Sequence, residues 1–111
     1  MKKLFKNYTY DFDKNEAKIL SNFCKQAITQ VSGNSDFYKD VKAFESIREK
    51  IAENSNEVKM TKDEKTRLVH QLKQNRNHLK TTMDKSGFIK KWFYKSMYTQ
   101  YSNLIETHFT D

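Results

Sequence analysis

Residues that interrupt helices are almost missing from this chain. Its 111 residues include no proline and only two glycines, Gly33 and Gly87. Proline and glycine end helices and form the tight turns of all-β folds, so their scarcity favours long helices. We therefore expect a mainly all-α fold, a compact domain resembling a four-helix bundle. At this length we expect a single helical domain over residues 1–111 with one modest core.

The first half of the sequence predicts two helices. Apolar residues at helical spacing predict a first helix from about Lys14 to Val31. Gly33 can then adopt the left-handed conformation that often follows the end of a helix. A second stripe covers Asp36 to Glu53. The two stripes comprise Ala17, Leu20, Phe23, Cys24, Ala27, Ile28 and Val31, and then Phe37, Val41, Phe44, Ile47 and Ile51.

The second half predicts two more helices. The segment "TKDE" at 61–64 has the pattern of a capping box, with Thr61 as the N-cap of helix three and Glu64 reaching back to it. Gly87 is expected to end or bend this helix, and helix four then runs from Phe88 to about Phe109. Helix three carries Leu68, Leu72, Leu79 and Met83. The other helix starts are expected at Asp13, near Ser35 and just after Gly87.

Helix four contains the segment "GFIKKWFYKSMYTQY", which combines lysines with aromatic residues. One arc of this helix is predicted to be the core face, and we expect Phe93 and Met97 to share a core with Phe23, Phe44 and Leu72. Trp92 lies at one border of the arc, and Tyr94 and Tyr98 at the other. The arc holds Ile89, Phe93, Met97, Tyr101, Leu104 and His108, with Lys91, Lys95, Ser102 and Glu106 opposite.

Residues 10–27 and 58–75 align without gaps at an offset of 48 residues. The alignment indicates two halves, each an extended segment followed by two helices. The extended segments alternate apolar side chains, Tyr8, Tyr10 and Phe12 in one and Val58 and Met60 in the other. They are therefore predicted to pair as a short two-stranded β ribbon, and the halves are a candidate internal duplication.

The positive charge of the chain is concentrated in its second half. The formal net charge is +7, and residues 65–95 hold nine basic side chains against the single acid Asp84. A field of this kind attracts polyanions or an acidic protein surface.

Catalytic and metal-binding patterns are weak. His70 and His78 are eight residues apart, about 12 Å along a helix, which is too far to share one ion directly. Cys24 falls within an apolar stripe, and neither glycine belongs to a phosphate-binding loop. We expect a protein that is not an enzyme and has no cofactor and no metal site.

Binding is the function that the sequence favours. The leading hypothesis is an adaptor, inhibitor or immunity-type module that docks an acidic protein partner through a basic face of helices three and four. The alternative is a nucleic-acid-binding protein using the same face, and self-association through Trp92, Tyr94 and Tyr98 is a third possibility. No membrane partner is expected, and the lone cysteine favours a cytoplasmic location. The predicted contact residues are Lys73, Arg76, Lys80, Lys91, Tyr94, Lys95 and Tyr98.

Overall fold

The computed structural model describes residues 8–31, 33–85 and 87–109. As predicted, the fold is mainly α-helical, with four helices and a two-stranded antiparallel sheet in the described ranges. In chain order the elements are β1 (Tyr8–Tyr10), α1 (Lys14–Val31), a 3-10 turn (Ser35–Phe37), α2 (Tyr38–Glu53), β2 (Val58–Met60), α3 (Lys62–Lys85) and α4 (Phe88–His108).

Backbone contacts group the chain into two units, Met1–Leu68 and Val69–Asp111, with the boundary inside α3. The first unit contains the sheet, α1, α2 and the start of α3. The second contains the rest of α3 and α4. The expectation of a single domain stays a prediction.

The predicted β ribbon is confirmed. Strands β1 and β2 pair antiparallel, with Tyr8 opposite Met60 and Tyr10 opposite Val58. The side chains of Val58 and Met60 are fully buried, as is that of Phe12 just after β1. The Phe12 backbone N–H donates to the Ser55 carbonyl at 2.9 Å, so the pairing extends beyond the strands themselves.

Helices α1 and α3 begin with the same reciprocal hydrogen bonds. In α1 the Glu16 N–H donates to Asp13 Oδ1 at 2.7 Å, and the Asp13 N–H donates to Glu16 Oε1 at 3.0 Å. In α3 the Glu64 N–H donates to Thr61 Oγ1 at 3.1 Å, and the Thr61 N–H donates to Glu64 Oε1 at 3.0 Å. Both predicted caps are confirmed, and they lie at equivalent positions of the sequence alignment. Whether the halves arose by duplication stays a prediction.

The two glycines lie at helix ends. Gly33 follows α1 with a φ of 93°, the left-handed conformation expected of it. Gly87 has extended backbone angles and is the N-cap of α4, which starts at the next residue as predicted. Near Ser35, the Asn34 side chain accepts from the Asp36 N–H and caps the 3-10 turn. The helix start predicted there is two residues early, because α2 begins at Tyr38 with Phe37 as an N-cap that makes no side-chain hydrogen bond.

The core of the first unit lies mainly between α1 and α2, which pack against each other. Phe23 and Phe44 are 3% and 2% exposed, as predicted. The buried side chains of the two helices are Ala17, Leu20, Phe23, Cys24 and Ala27 from α1 and Ala43, Phe44, Ile47 and Ile51 from α2.

In the second unit, the predicted core position of Phe93 is wrong. Its side chain is 56% exposed, and Met97 is half-buried, whereas Ile105 is only 3% exposed. The inward side of α4 is defined by Tyr101 and Ile105, and this direction is rotated by about 60° from the predicted arc. Leu72 is buried as predicted, and the side chain of Ile89 lies outside the described residues. Among the side chains of this unit that the structure describes, the buried ones are Leu72, Leu79, Tyr101, Leu104, Ile105 and Phe109.

Candidate interaction surface

Three of the predicted contact residues form a stripe on α3. Lys73, Arg76 and Lys80 are three and four residues apart, so they share one side of the helix. Lys73 and Lys80 are exposed and Arg76 is half-buried. The buried leucines Leu72 and Leu79 hold this part of α3 in a fixed rotation, which directs the two lysines into solvent.

The other four predicted residues form a stripe on α4. Lys91, Tyr94, Lys95 and Tyr98 occupy successive positions i, i+3, i+4 and i+7 of the helix. The two lysines are exposed and the two tyrosines are half-buried, as expected of amphipathic rings at the border of a buried face. The Tyr94 ring also contacts the Phe93 ring edge-on, with centroids 5.7 Å apart.

The two stripes are separate groups within the second unit. No hydrogen bond, ion pair or ring contact among the described side chains joins a residue of the α3 stripe to a residue of the α4 stripe. Together we call them the basic surface, defined by Lys73, Arg76, Lys80, Lys91, Tyr94, Lys95 and Tyr98.

Two cations of the first unit, Lys50 and Arg67, have close carboxylate partners. Lys50 Nζ lies 2.7 Å from Glu64 Oε1, and Arg67 lies 2.8 Å from Asp40 and 3.0 Å from Asp63. The hydrogen bonds that Arg67 donates to Asp40 and Asp63 raise its pKa, so this guanidinium stays charged and held in place.

The lysines and the arginine of the second unit differ from Lys50 and Arg67. Within residues 69–85 and 87–109, none of the seven basic side chains is within ion-pair distance of a carboxylate of the described chain. Six of the seven are exposed: Lys73, Lys80, Lys85, Lys90, Lys91 and Lys95. Their charge is therefore available to an external anion.

Trp92 and Phe93 add an exposed aromatic component to α4, and of these two residues the sequence analysis placed Phe93 incorrectly. Trp92 is 74% exposed and lies about 180° around α4 from the buried Tyr101. The correct orientation was present in the sequence as a stripe of Tyr94, Tyr98, Tyr101 and Ile105, spaced four, three and four residues apart. Including Ile105 in the arc would have placed Phe93 at its edge.

The residues considered for catalysis or metal binding, Cys24, His70 and His78, are not part of the basic surface. Cys24 is fully buried, and burial raises its pKa to about 12, although the nearby charge of Arg48 opposes this shift. His70 and His78 are exposed on α3. The described residues contain no group of three or more His, Cys, Asp or Glu side chains placed to hold a metal ion.

In the part of the chain that the structure describes, every helix is too short or too polar to cross a lipid bilayer. Comparisons with known proteins gave no match to a family model, a curated protein or a solved structure.

Proposed function

We propose that this chain is a non-enzymatic binding protein that docks an acidic protein partner through the basic surface. The observation that carries the proposal is the set of exposed lysines on α3 and on α4 that have no carboxylate partner in the described chain. Complementary charge across an interface speeds encounter and excludes wrong partners. An adaptor, an inhibitor or an immunity-type protein would use such a surface.

The aromatic residues favour a protein partner over a nucleic acid. A protein interface typically has an apolar centre surrounded by a polar rim, and Trp92 and Phe93 are exposed between the lysines of α4. Of the seven basic residues at 69–109, six are lysines and only Arg76 is an arginine. Arginine is the side chain that most often reads base edges, so this composition is less suited to sequence recognition.

The polar side chains of α3 give limited support to the nucleic-acid alternative. Asn75 Nδ2 donates to the Gln71 carbonyl at 2.9 Å, so this amide is used within its own helix. Gln74, Asn77 and His78 remain exposed and could reach phosphates or bases. The partner class is therefore the first property to test.

We propose a cytoplasmic location as well, because the chain's one cysteine, Cys24, is a free buried thiol.

Affinity capture with the tagged full chain, from lysate with and without nuclease treatment, tests the partner class. The proposal predicts that a protein is retained after nuclease treatment. Capture that disappears with nuclease would instead support the nucleic-acid alternative.

A further inference from the structure

Trp92 is the most exposed large apolar side chain of the described residues. Its indole is 74% exposed, and the neighbouring Phe93 is 56% exposed. The positions one and two turns along the same side of α4, Ser96 and Thr99, are also exposed. Among the described side chains on this side of α4, Trp92 is a large apolar group beside polar ones, and it contributes nothing to the core.

Lysines surround this tryptophan. Lys91 precedes it and Lys95 follows it by three residues, and both are exposed without a carboxylate partner in the described chain. A group that covers Trp92 must therefore accept a large apolar ring and also bring negative charge next to it. Tryptophan is the residue type most enriched among interface anchors.

A second copy of this chain does not meet this requirement. In a symmetric dimer the same patch lies on both sides of the interface, so Lys91 and Lys95 would face equivalent lysines. Like charges at that separation oppose association, and the chain as a whole carries a formal net charge of +7. Charge complementarity requires an acidic partner.

We infer that Trp92 is the anchor residue of the interface, inserting into an apolar pocket of the partner that is flanked by carboxylates which pair with Lys91 and Lys95. This inference rests on the proposed function and adds the kind of surface that the partner must have. It also predicts that a purely acidic ligand binds without covering the indole.

The chain offers a selective probe, because Trp92 is its only tryptophan. Indole fluorescence and its quenching by acrylamide would be recorded during titration with a synthetic amphipathic peptide of glutamate and leucine. Polyglutamate, oligothymidylate and phosphatidylglycerol vesicles serve as the comparison ligands. We expect the glutamate–leucine peptide to shift the emission to shorter wavelength and reduce quenching, and polyglutamate to bind without either change.

Variants give an independent readout by calorimetric titration of the same peptide. Trp92→Ala should weaken binding by about thirtyfold, the loss typical of an interface anchor. Tyr38→Ala is the matched control, because Tyr38 is a 61% exposed aromatic residue between Phe37 and Lys39 in the first unit. The control should change affinity by less than about twofold.

The outcomes separate the claim that Trp92 is the anchor from the claim that the partner is acidic. If the peptide binds while Trp92 emission is unchanged and Trp92→Ala binds normally, the anchor is disproved and the acidic-partner proposal survives. Indole protection by vesicles or oligothymidylate but not by the peptide would overturn both, as would failure of both acidic ligands to bind.

Discussion

Lys50 Nζ donates a hydrogen bond to Glu64 Oε1 at 2.7 Å, which ties the last turns of α2 to the first turn of α3. The same carboxylate accepts from Ser46 Oγ at 2.6 Å and from the Thr61 N–H at 3.0 Å. Burial alone would raise the pKa of Glu64, but these hydrogen bonds and the charge of Lys50 outweigh it and lower the pKa. Glu64 is thus both a helix cap and a cross-link between two helices.

Replacing Glu64 by Gln should destabilise the protein in a pH-dependent way. The folded-state pKa lies below the ordinary value of 4.5, so the contribution is complete above that pH and is lost as pH falls through the lower, folded-state pKa. At neutral pH we expect a loss of about 1–3 kcal/mol, from charge-assisted hydrogen bonds. Urea unfolding of the variant and of the exposed control Glu53→Gln, from neutral to acidic pH, measures this. A constant difference between variant and wild type at every pH would contradict it.

The two capping boxes predict equal effects at two distant positions. Thr61→Ala and Asp13→Ala each remove an oxygen that accepts from a helix N–H, and each should lower the free energy of unfolding by about 1 kcal/mol. Thr66→Ala, at an exposed interior position of α3, is the control and should be neutral or slightly stabilising. Denaturant unfolding in which Thr61→Ala behaves like Thr66→Ala would show that the cap has no energetic role.

Two phenylalanines should respond differently to the same substitution. Phe44 is 2% exposed, so Phe44→Ala leaves a cavity and should cost about 3–5 kcal/mol. Phe93 is 56% exposed, so Phe93→Ala should change stability by less than about 0.5 kcal/mol. Thermal and urea unfolding of both variants check this. A large loss of stability in Phe93→Ala would restore the core position that the sequence pattern predicted for it.

Cys24 should be unreactive in the folded protein. Burial raises its pKa to about 12, so very little thiolate is present at mildly alkaline pH, and the side chain is fully buried. We expect labelling by a thiol-specific disulfide reagent only as the protein opens, with a rate that rises with added urea. Immediate stoichiometric labelling of the native protein would contradict the burial of Cys24.

Features that depend on nearby residues could be predicted from the sequence. The bounds of α1, the caps at Asp13 and Thr61 and the left-handed Gly33 follow from side chains within a few positions of each other. The rotation of α4 could not be obtained in this way. Aromatic residues at 92, 93 and 94 point to three sides of the helix, so the sequence left the direction of the buried face of α4 ambiguous. The burial of Ile105 in the structure defines that direction.

The candidate site was predictable in composition and not in detail. Counting charges located the basic residues of α3 and α4, whose helical spacing follows from their sequence positions. That their lysines lack carboxylate partners in the described chain, while Lys50 and Arg67 have them, depends on tertiary contacts. The exposure of Phe93 was missed for the same reason.

The central claim is that binding resides in the basic surface, and charge reversal tests it. Lys73→Glu with Lys80→Glu is the cleanest pair, because both side chains are exposed whereas Arg76 is half-buried. Lys39→Glu with Lys42→Glu is the matched control, two exposed lysines of the first unit that introduce the same charge change. Neither pair should alter thermal stability by more than about 1 kcal/mol.

The measurement is the dissociation constant of the glutamate–leucine peptide for wild type and for both double variants, determined by calorimetry at one fixed ionic strength. The account predicts that Lys73→Glu with Lys80→Glu weakens binding by at least about tenfold, while the control pair changes it by less than about twofold. Equal weakening by the two pairs would reduce the effect to general charge attraction, and unchanged binding in both would contradict the proposal that the basic surface is the site.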